Sequence, residues 1–336
     1  MKQSTGTIKT VIFSLTPLLL LFITAELFLR LLGFHYYPNW TYDDPRWERD
    51  PYLLYKPKPN FKSDDGSLKI NSFGFRGEEI SIKKNKYITR IICMGDSCTF
   101  GFEIKWTSYP NELQKLLNSN SEKIKYEVIN AGIPDYSSYQ GLILLDKRIL
   151  ELNPDIIIIA YGWNDLRTIY QLPDKKQGIN PYCFFADKML NKSKIYQALN
   201  KSISSLETLI VKNKKANRKS VHRVSPLDFK KNLESMIKMA RSSGIKVFLL
   251  TQPPAEVKEP TKDFIKKILK DRILYNTIIR TVSRQLQVHL IDMEAIFKDR
   301  KDERLFDYQK KDIIHPNLEG LKLTAYEIYK ACININ

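Results

Sequence analysis

Histidine is scarce in this sequence, with four among 336 residues: His35, His222, His289 and His315. Any chemistry that needs an imidazole near neutral pH must use one of these, so each can be weighed by its neighbours. Cysteine is equally scarce. Cys93, Cys98, Cys183 and Cys332 form no CxxC pair and no zinc-ligand spacing with histidine, which argues against a structural zinc site. No metal or cofactor is expected. In an oxidising compartment disulfides stay open, because spacing does not give connectivity. Acidic residues are also few, 37 against 54 Lys and Arg, leaving a formal net charge of +17. Such a surface attracts anionic headgroups, acidic polysaccharide or nucleic acid. The charges are spread widely, however, and no recognisable nucleic-acid motif accompanies them, so no nucleic-acid partner is expected. The basic stretch VKNKKANRKSVHRV, residues 211–224, reads as a solvated loop. No internal repeat is visible, and the oligomeric state is not legible.

A long apolar run is present at the start. After Lys2 and Lys9, residues 11–25 carry no charge before Glu26 and Arg30 interrupt. Those two lie one helical turn apart, where they can pair while Arg30 snorkels, so a bilayer span can extend to about Phe34. His35, Tyr36, Tyr37 and Trp40 follow where an interfacial belt would sit. A cleaved signal peptide is the rival reading, but Ile23, Thr24 and Ala25 make a poor cleavage site. Basic residues ahead of the span imply an inside N-terminus and a main domain outside the cytoplasm, periplasmic or extracellular.

From Tyr87 short β-branched runs alternate with helical patterns. Apolar runs at 88–95, 126–132, 154–162, 245–253 and 287–293 are separated by segments with apolar residues at three and four spacing, at 108–119, 138–152, 225–244 and 262–286. Continuous apolar strands bounded by such helices predict a parallel sheet covered on both faces, a doubly wound three-layer α/β/α sandwich. In such sheets reactive groups gather at the carboxyl ends of the strands. Those ends carry Asp96 and Ser97, then Asn130 and Gly132, then Asn164 and Asp165, and a last loop carries Asp312 and His315.

A serine nucleophile needs a base, an acid to orient that base, and donors for the oxyanion. His35 abuts the apolar segment, His222 lies in the lysine-rich loop and His289 lies inside a strand. His315 alone follows an acid by three residues in a loop, a spacing that lets Asp312 hold its N–H. A helix-start Asp with an incidental His is the plainer alternative for this pair. Ser97 is either a nucleophile or an ordinary N-cap, and Cys98 beside it is a rival nucleophile. The Ser97 N–H, the Gly132 N–H and the Asn164 amide together would make a three-donor oxyanion hole, with Asp96 as a loop organiser.

GDS at 95–97, Gly132 in NAG, Asn164 in GWND and DIIHP at 312–316 resemble the four ordered blocks of the SGNH/GDSL hydrolase superfamily, over roughly residues 88–332. The resemblance implies a five-stranded parallel sheet of order 2-1-3-4-5, nucleophile Ser97, base His315 with Asp312, and oxyanion donors at Ser97, Gly132 and Asn164. Cys98 stands where the family's name motif has leucine. NSFGFRG, residues 71–77, resembles a segment that precedes this block in membrane-anchored bacterial members, with no role that the sequence reveals. The domain reading is a membrane anchor or signal peptide at 1–34, an extended linker or N-terminal extension at 35–87, and a hydrolase domain at 88–336 with an insert at about 167–224. Within the insert Ile195, Leu199, Ile203, Leu206 and Ile210 form one apolar stripe, read as packing on the core, with a lid or membrane-lying helix as the alternative. The expected function is a membrane-anchored extracytoplasmic serine esterase acting through an acyl-enzyme on O-acyl, chiefly acetyl, esters of glycans or lipids. An SGNH-type O-acyltransferase and a noncatalytic glycan-binding envelope protein are the alternatives.

Overall fold

In the computed structural model, which describes residues 3–36, 44–101, 106–121, 124–169, 172–177, 181–214, 220–253, 263–300, 304–307, 312 and 314–334, the five apolar runs are five strands of one parallel sheet. They are β1 (Ile88–Gly95), β2 (Lys125–Gly132), β3 (Ile156–Ala160), β4 (Lys246–Leu250) and β5 (His289–Ile291), in the spatial order 2-1-3-4-5. The register sets Gly95 at the end of β1 beside Gly132 on one side and Ala160 on the other. Three strand ends that carry polar clusters therefore leave the sheet at one edge.

Ten α-helices occur among the described residues: α1 (Gln3–Leu31), α2 (Ser97–Phe100), α3 (Tyr109–Ser119), α4 (Ser138–Leu144), α5 (Pro181–Leu190), α6 (Lys194–Lys214), α7 (Pro226–Ser242), α8 (Asp263–Leu286), α9 (Met293–Asp299) and α10 (Leu318–Ile333). Side chains alternate across the sheet. Ile91, Cys93, Ile158 and Phe248 join a core with residues of α3, α9 and α10. Ile92, Met94, Ile157 and Leu249 are also fully buried, on the opposite face by strand alternation. Burial on both faces is why these strands read as unbroken apolar runs. Helix starts match their sequence signals: Ser225 accepts from the Asp228 N–H at α7 ahead of Pro226, and Asn317 accepts from the Gly320 N–H at α10.

The pattern over 138–152 predicts one helix, but the structure winds it in three pieces: α4, a π-helical turn at Leu145–Ile149 and a 3₁₀ turn at Leu150–Leu152. Buried Leu144, Leu145, Ile149 and Leu152 suit any of these windings, so apolar spacing could not separate them.

The chain divides into two units, one of residues 1–51 and 179–218 and one of 52–178 and 219–336. The larger holds the sheet. Residues 52–87 are part of it: Leu53, Tyr55, Ile70 and Phe75 are buried, the Tyr55 hydroxyl donates to the Pro134 carbonyl and the Gln140 amide to the Leu53 carbonyl. The smaller holds α1, α5 and α6. In α1, Phe13–Leu31 is long and apolar enough to cross a membrane, with mean hydropathy 1.7. Glu26 and Arg30 do pair, as their spacing suggests. Tyr37 and Trp40 lie outside the described residues, as does the side chain of Ile210. Leu199, Ile203 and Leu206 are exposed, which corrects the reading of their stripe as packed on a core.

Candidate active site

The turn after β1 begins with Asp96, which is fully buried and caps α2 by accepting from the Cys98 N–H at 2.9 Å. This is the organising role expected of it. Burial pushes the Asp96 carboxyl up to about 6, against the bond from Cys98 and the field of His315. Ser97 is the first residue of α2, so its hydroxyl sits at the carboxyl edge of β1, an inner strand of the sheet.

The loop before α10 supplies the imidazole. Asn317, not Asp312, caps that helix. Asp312 instead folds its own loop: its Oδ1 accepts from the N–H groups of Ile314 (2.8 Å) and His315 (3.1 Å). That leaves Oδ2 for the ring, and His315 Nδ1 lies 2.6 Å from it. On the other side His315 Nε2 lies 2.8 Å from Ser97 Oγ, so hydroxyl, imidazole and carboxylate form one hydrogen-bonded chain. Partial burial raises the Asp312 carboxyl, but the bonds from the His315 ring and the Ile314 N–H outweigh it and hold the group at about 2. With Asp312 ionised, its partner Nδ1 is the protonated nitrogen and Nε2 is free to accept from the serine hydroxyl. The loop is itself fixed by a bridge between Pro316 and Phe306.

Of the other histidines, His222 pairs with Asp271, His35 contacts Lys194, and His289 is an exposed strand residue whose ring packs at 5.0 Å from Phe248. Cys98 turns its thiol to the Ile314 carbonyl at 3.5 Å. Desolvation and the nearby carboxylates of Asp96 and Asp312 push that thiol well above its ordinary value, which disfavours the thiolate a cysteine nucleophile needs.

The expected oxyanion donors are less uniform. The Ser97 N–H stands at the first turn of α2. Asn164 is nearly buried and gives one amide N–H to the Tyr136 carbonyl at 3.1 Å; a primary amide has two. The Gly132 N–H donates to Asn130 Oδ1 at 3.0 Å, so it could serve an oxyanion only by sharing or exchanging that bond. A Cβ at Gly132 would stand 2.5 Å from the Phe100 nitrogen, so the glycine is what lets α2 lie on the end of β2.

Sequence reasoning missed how this arrangement is braced. Arg76, in the segment whose role was illegible, is buried and donates from Nη1 to the carbonyls of Phe100 (2.7 Å) and Gly101 (2.8 Å), where α2 ends. Its guanidinium lies over the Phe100 ring and its backbone bridges Asn130. Burial lowers it to about 10, so it still carries its charge at neutral pH. Asn130 adds bonds to the Phe100 carbonyl and to the Ser108 hydroxyl. The Asn71 side chain holds the NSFGFRG turn by accepting from the Phe73 and Phe75 N–H groups. The segment thus clamps the helix that carries Ser97. Among the described residues, no group of His, Cys, Asp and Glu is arranged to hold a metal ion.

The sequence profile of the GDSL-like lipase/acylhydrolase family matches residues 93–323. Solved structures similar to this one include the lipase/acylhydrolase from Enterococcus faecalis, 19% identical with a TM-score of 0.49, covering 72% of this chain and 94% of that one. A GDSL-like lipase from Bacteroides thetaiotaomicron is 17% identical with a TM-score of 0.46, covering 76% and 93%. A catalytic mutant of an acetylxylan esterase from Geobacillus stearothermophilus is 15% identical with a TM-score of 0.49, covering 72% and 93%. No curated protein sequence matches the chain.

Proposed function

Since the chain belongs to the GDSL-like lipase/acylhydrolase family and is a hydrolase of ester bonds, we propose that it is a membrane-anchored serine esterase that works through an acyl-enzyme on O-acetyl esters of glycans or lipids outside the cytoplasm. The observation that carries this reading is the chain of contacts from Ser97 Oγ to His315 Nε2 and from His315 Nδ1 to Asp312. In the proposed reaction Ser97 Oγ attacks the ester carbonyl while its proton passes to His315 Nε2. The tetrahedral oxyanion is held by the Ser97 N–H, the second Asn164 N–H and a shared Gly132 N–H. As the intermediate collapses, the leaving alkoxide takes the proton from Nε2, and the acyl group remains on Ser97. Water, deprotonated by the same imidazole, then releases the acid.

A small acyl group is supported by crowding at the end of β3, where the buried rings of Tyr161 and Trp163 stand three residues and one residue before Asn164. The anchor is supported by α1 and its position ahead of the domain, and the side by Lys2 and Lys9 before the span.

The test is a fluorophosphonate label and a p-nitrophenyl ester series on the full chain in detergent. Ser97→Ala is expected to lose labelling and about 10³-fold or more in kcat. Labelling that survives in Ser97→Ala but disappears in Cys98→Ala moves the nucleophile to Cys98. Acetyl esters are expected to exceed octanoyl esters in kcat/KM, and a steady rise with chain length overturns the acetyl assignment. For topology, a reporter active only outside the cytoplasm, fused after Asn336, should be active; a silent one reverses the orientation.

A further inference from the structure

The polar and apolar residues of the α5–α6 hairpin are placed inside out. Three of its buried residues are polar, Asn191, Lys194 and Gln197. They are bonded to one another or to neighbouring chain: the Gln197 amide donates to the Asn191 carbonyl, and Lys194 Nζ contacts His35 and Gln197. Phe184 is buried, but most of the large apolar residues point outward. Phe185 and Met189 lie one turn apart on α5, and Leu199, Ile203 and Leu206 follow one another at four and three spacing on α6. Met189 is 73% exposed and Leu206 59%. A hairpin facing water has the opposite arrangement, because each such side chain gains by leaving water.

This apolar surface continues onto α1. A groove of about 660 Å³ is lined by Phe22, Ile23 and Leu27 of α1 together with Met189, Leu190 and Leu199 of the hairpin. The join is made by the only two charges in the apolar helix between Phe13 and Leu31. The Glu26 carboxylate caps α6, accepting from the Ser193 hydroxyl (2.9 Å) and from the N–H groups of Lys194 and Ile195 (3.0 Å each). Arg30 pairs with Glu26 and donates to the Lys192 carbonyl at 3.0 Å. A carboxylate one turn inside an apolar helix end, where solvation is poor, is thereby fully engaged. Among the described side chains of the hairpin, the exposed charges are Lys188, Lys192 and Lys201, all positive, while Asp187 is taken by Arg49 and Tyr196.

We infer that the α5–α6 hairpin lies in the bilayer interface beside the exit of α1, its apolar face among the outer acyl chains and its lysines among anionic headgroups, held there by the Glu26 and Arg30 clasp. Apolar residues flanked by lysines on a helix of this length are the pattern of an interfacial helix. The occupant of the groove is then lipid of the membrane that α1 enters, and the inference rests on the reading of α1 as an anchor.

The experiment reconstitutes the full chain into vesicles of phosphatidylethanolamine and phosphatidylglycerol that carry a diazirine on the acyl chain, and maps lipid adducts after irradiation. Adducts are expected on α1 and on peptides spanning Phe185–Leu190 and Leu199–Leu206. Adducts on α1 alone overturn the inference and leave the anchor standing, whereas adducts on neither overturn both. In Glu26→Ala, hairpin adducts should be lost while those on α1 persist; an unchanged pattern removes the clasp.

Discussion

Arg76 takes a positive charge into the interior of the larger unit, and a burial of that kind needs compensation. The compensation includes two main-chain carbonyls at the end of the four-residue helix that begins with Ser97, and the face of the Phe100 ring. Arg76→Met keeps the apolar stem but leaves the Gly101 carbonyl short of this donor, at a cost of about 1–3 kcal/mol in stability. If Arg76 positions α2, the loss also reaches catalysis. The expected outcome is a fall of about 10- to 100-fold in kcat with little change in KM, because a small displacement of Ser97 spoils attack more than binding. Arg76→Lys, which restores one charged donor, should recover part of kcat. A variant that is less stable but keeps its kcat reduces Arg76 to a structural residue. Ser97, His315 and Asp312 were legible because a strand end, a lone loop histidine and an acid three residues before it are side-chain signals. Arg76 was not, since its partners are backbone carbonyls, which leave no trace in the sequence.

The five strands were legible as elements, because burial on both faces demands continuous apolar runs. The parallel, doubly wound arrangement followed from the rule that such runs pair in parallel through helices, while the strand order came only from the family resemblance. Orientation was not. The stripe of Leu199, Ile203 and Leu206 has the spacing of any amphipathic helix, and spacing alone cannot say whether its apolar face meets a core or a membrane. Close approaches between elements lie between these cases: a glycine in NAG hints at one without naming what approaches. The structure answers with α2, since a Cβ on Gly132 would stand 2.5 Å from the Phe100 nitrogen and 2.7 Å from Thr99 Cβ. Backbone cannot swing aside as a flexible side chain can, so Gly132→Ala must shift α2 and Ser97 with it. We expect stability to fall by about 1–3 kcal/mol and kcat by about 10²-fold, read by thermal unfolding and by p-nitrophenyl acetate turnover. Full activity in Gly132→Ala would show that the helix tolerates the displacement.

At the scale of the molecule, two buried carboxyls govern how stability responds to pH. Asp96 is pushed up to about 6 by burial, and Asp165 to about 7 by burial against its bonds from Ser138 and the charge of Arg223. Both are fully inaccessible. In the unfolded chain each ionises near the ordinary aspartate value of about 3.9, so between pH 4 and 7 the folded state holds protons that the unfolded state has released. Each group's contribution is therefore complete below about pH 4 and is lost as pH rises through about 6 for Asp96 and about 7 for Asp165. Asp312 has the opposite sign: its contribution is present above about pH 4 and is lost only as pH falls through about 2, below this window. The net charge of +17 works against the two buried groups, because acid adds positive charge to a basic surface, so the wild-type profile alone mixes the two effects. Substitution separates them. Asp165→Asn is nearly isosteric and cannot titrate, so the change in stability between pH 5 and 8 should be more positive in the variant than in the wild type. The difference is on the order of 3 kcal/mol, from about 1.4 kcal/mol per pKa unit. Denaturant midpoints of the full chain in detergent at the two pH values measure it. Parallel profiles for wild type and Asp165→Asn would mean that Asp165 is already ionised in the folded protein at pH 5, with Arg223 and the Ser138 bonds outweighing its burial.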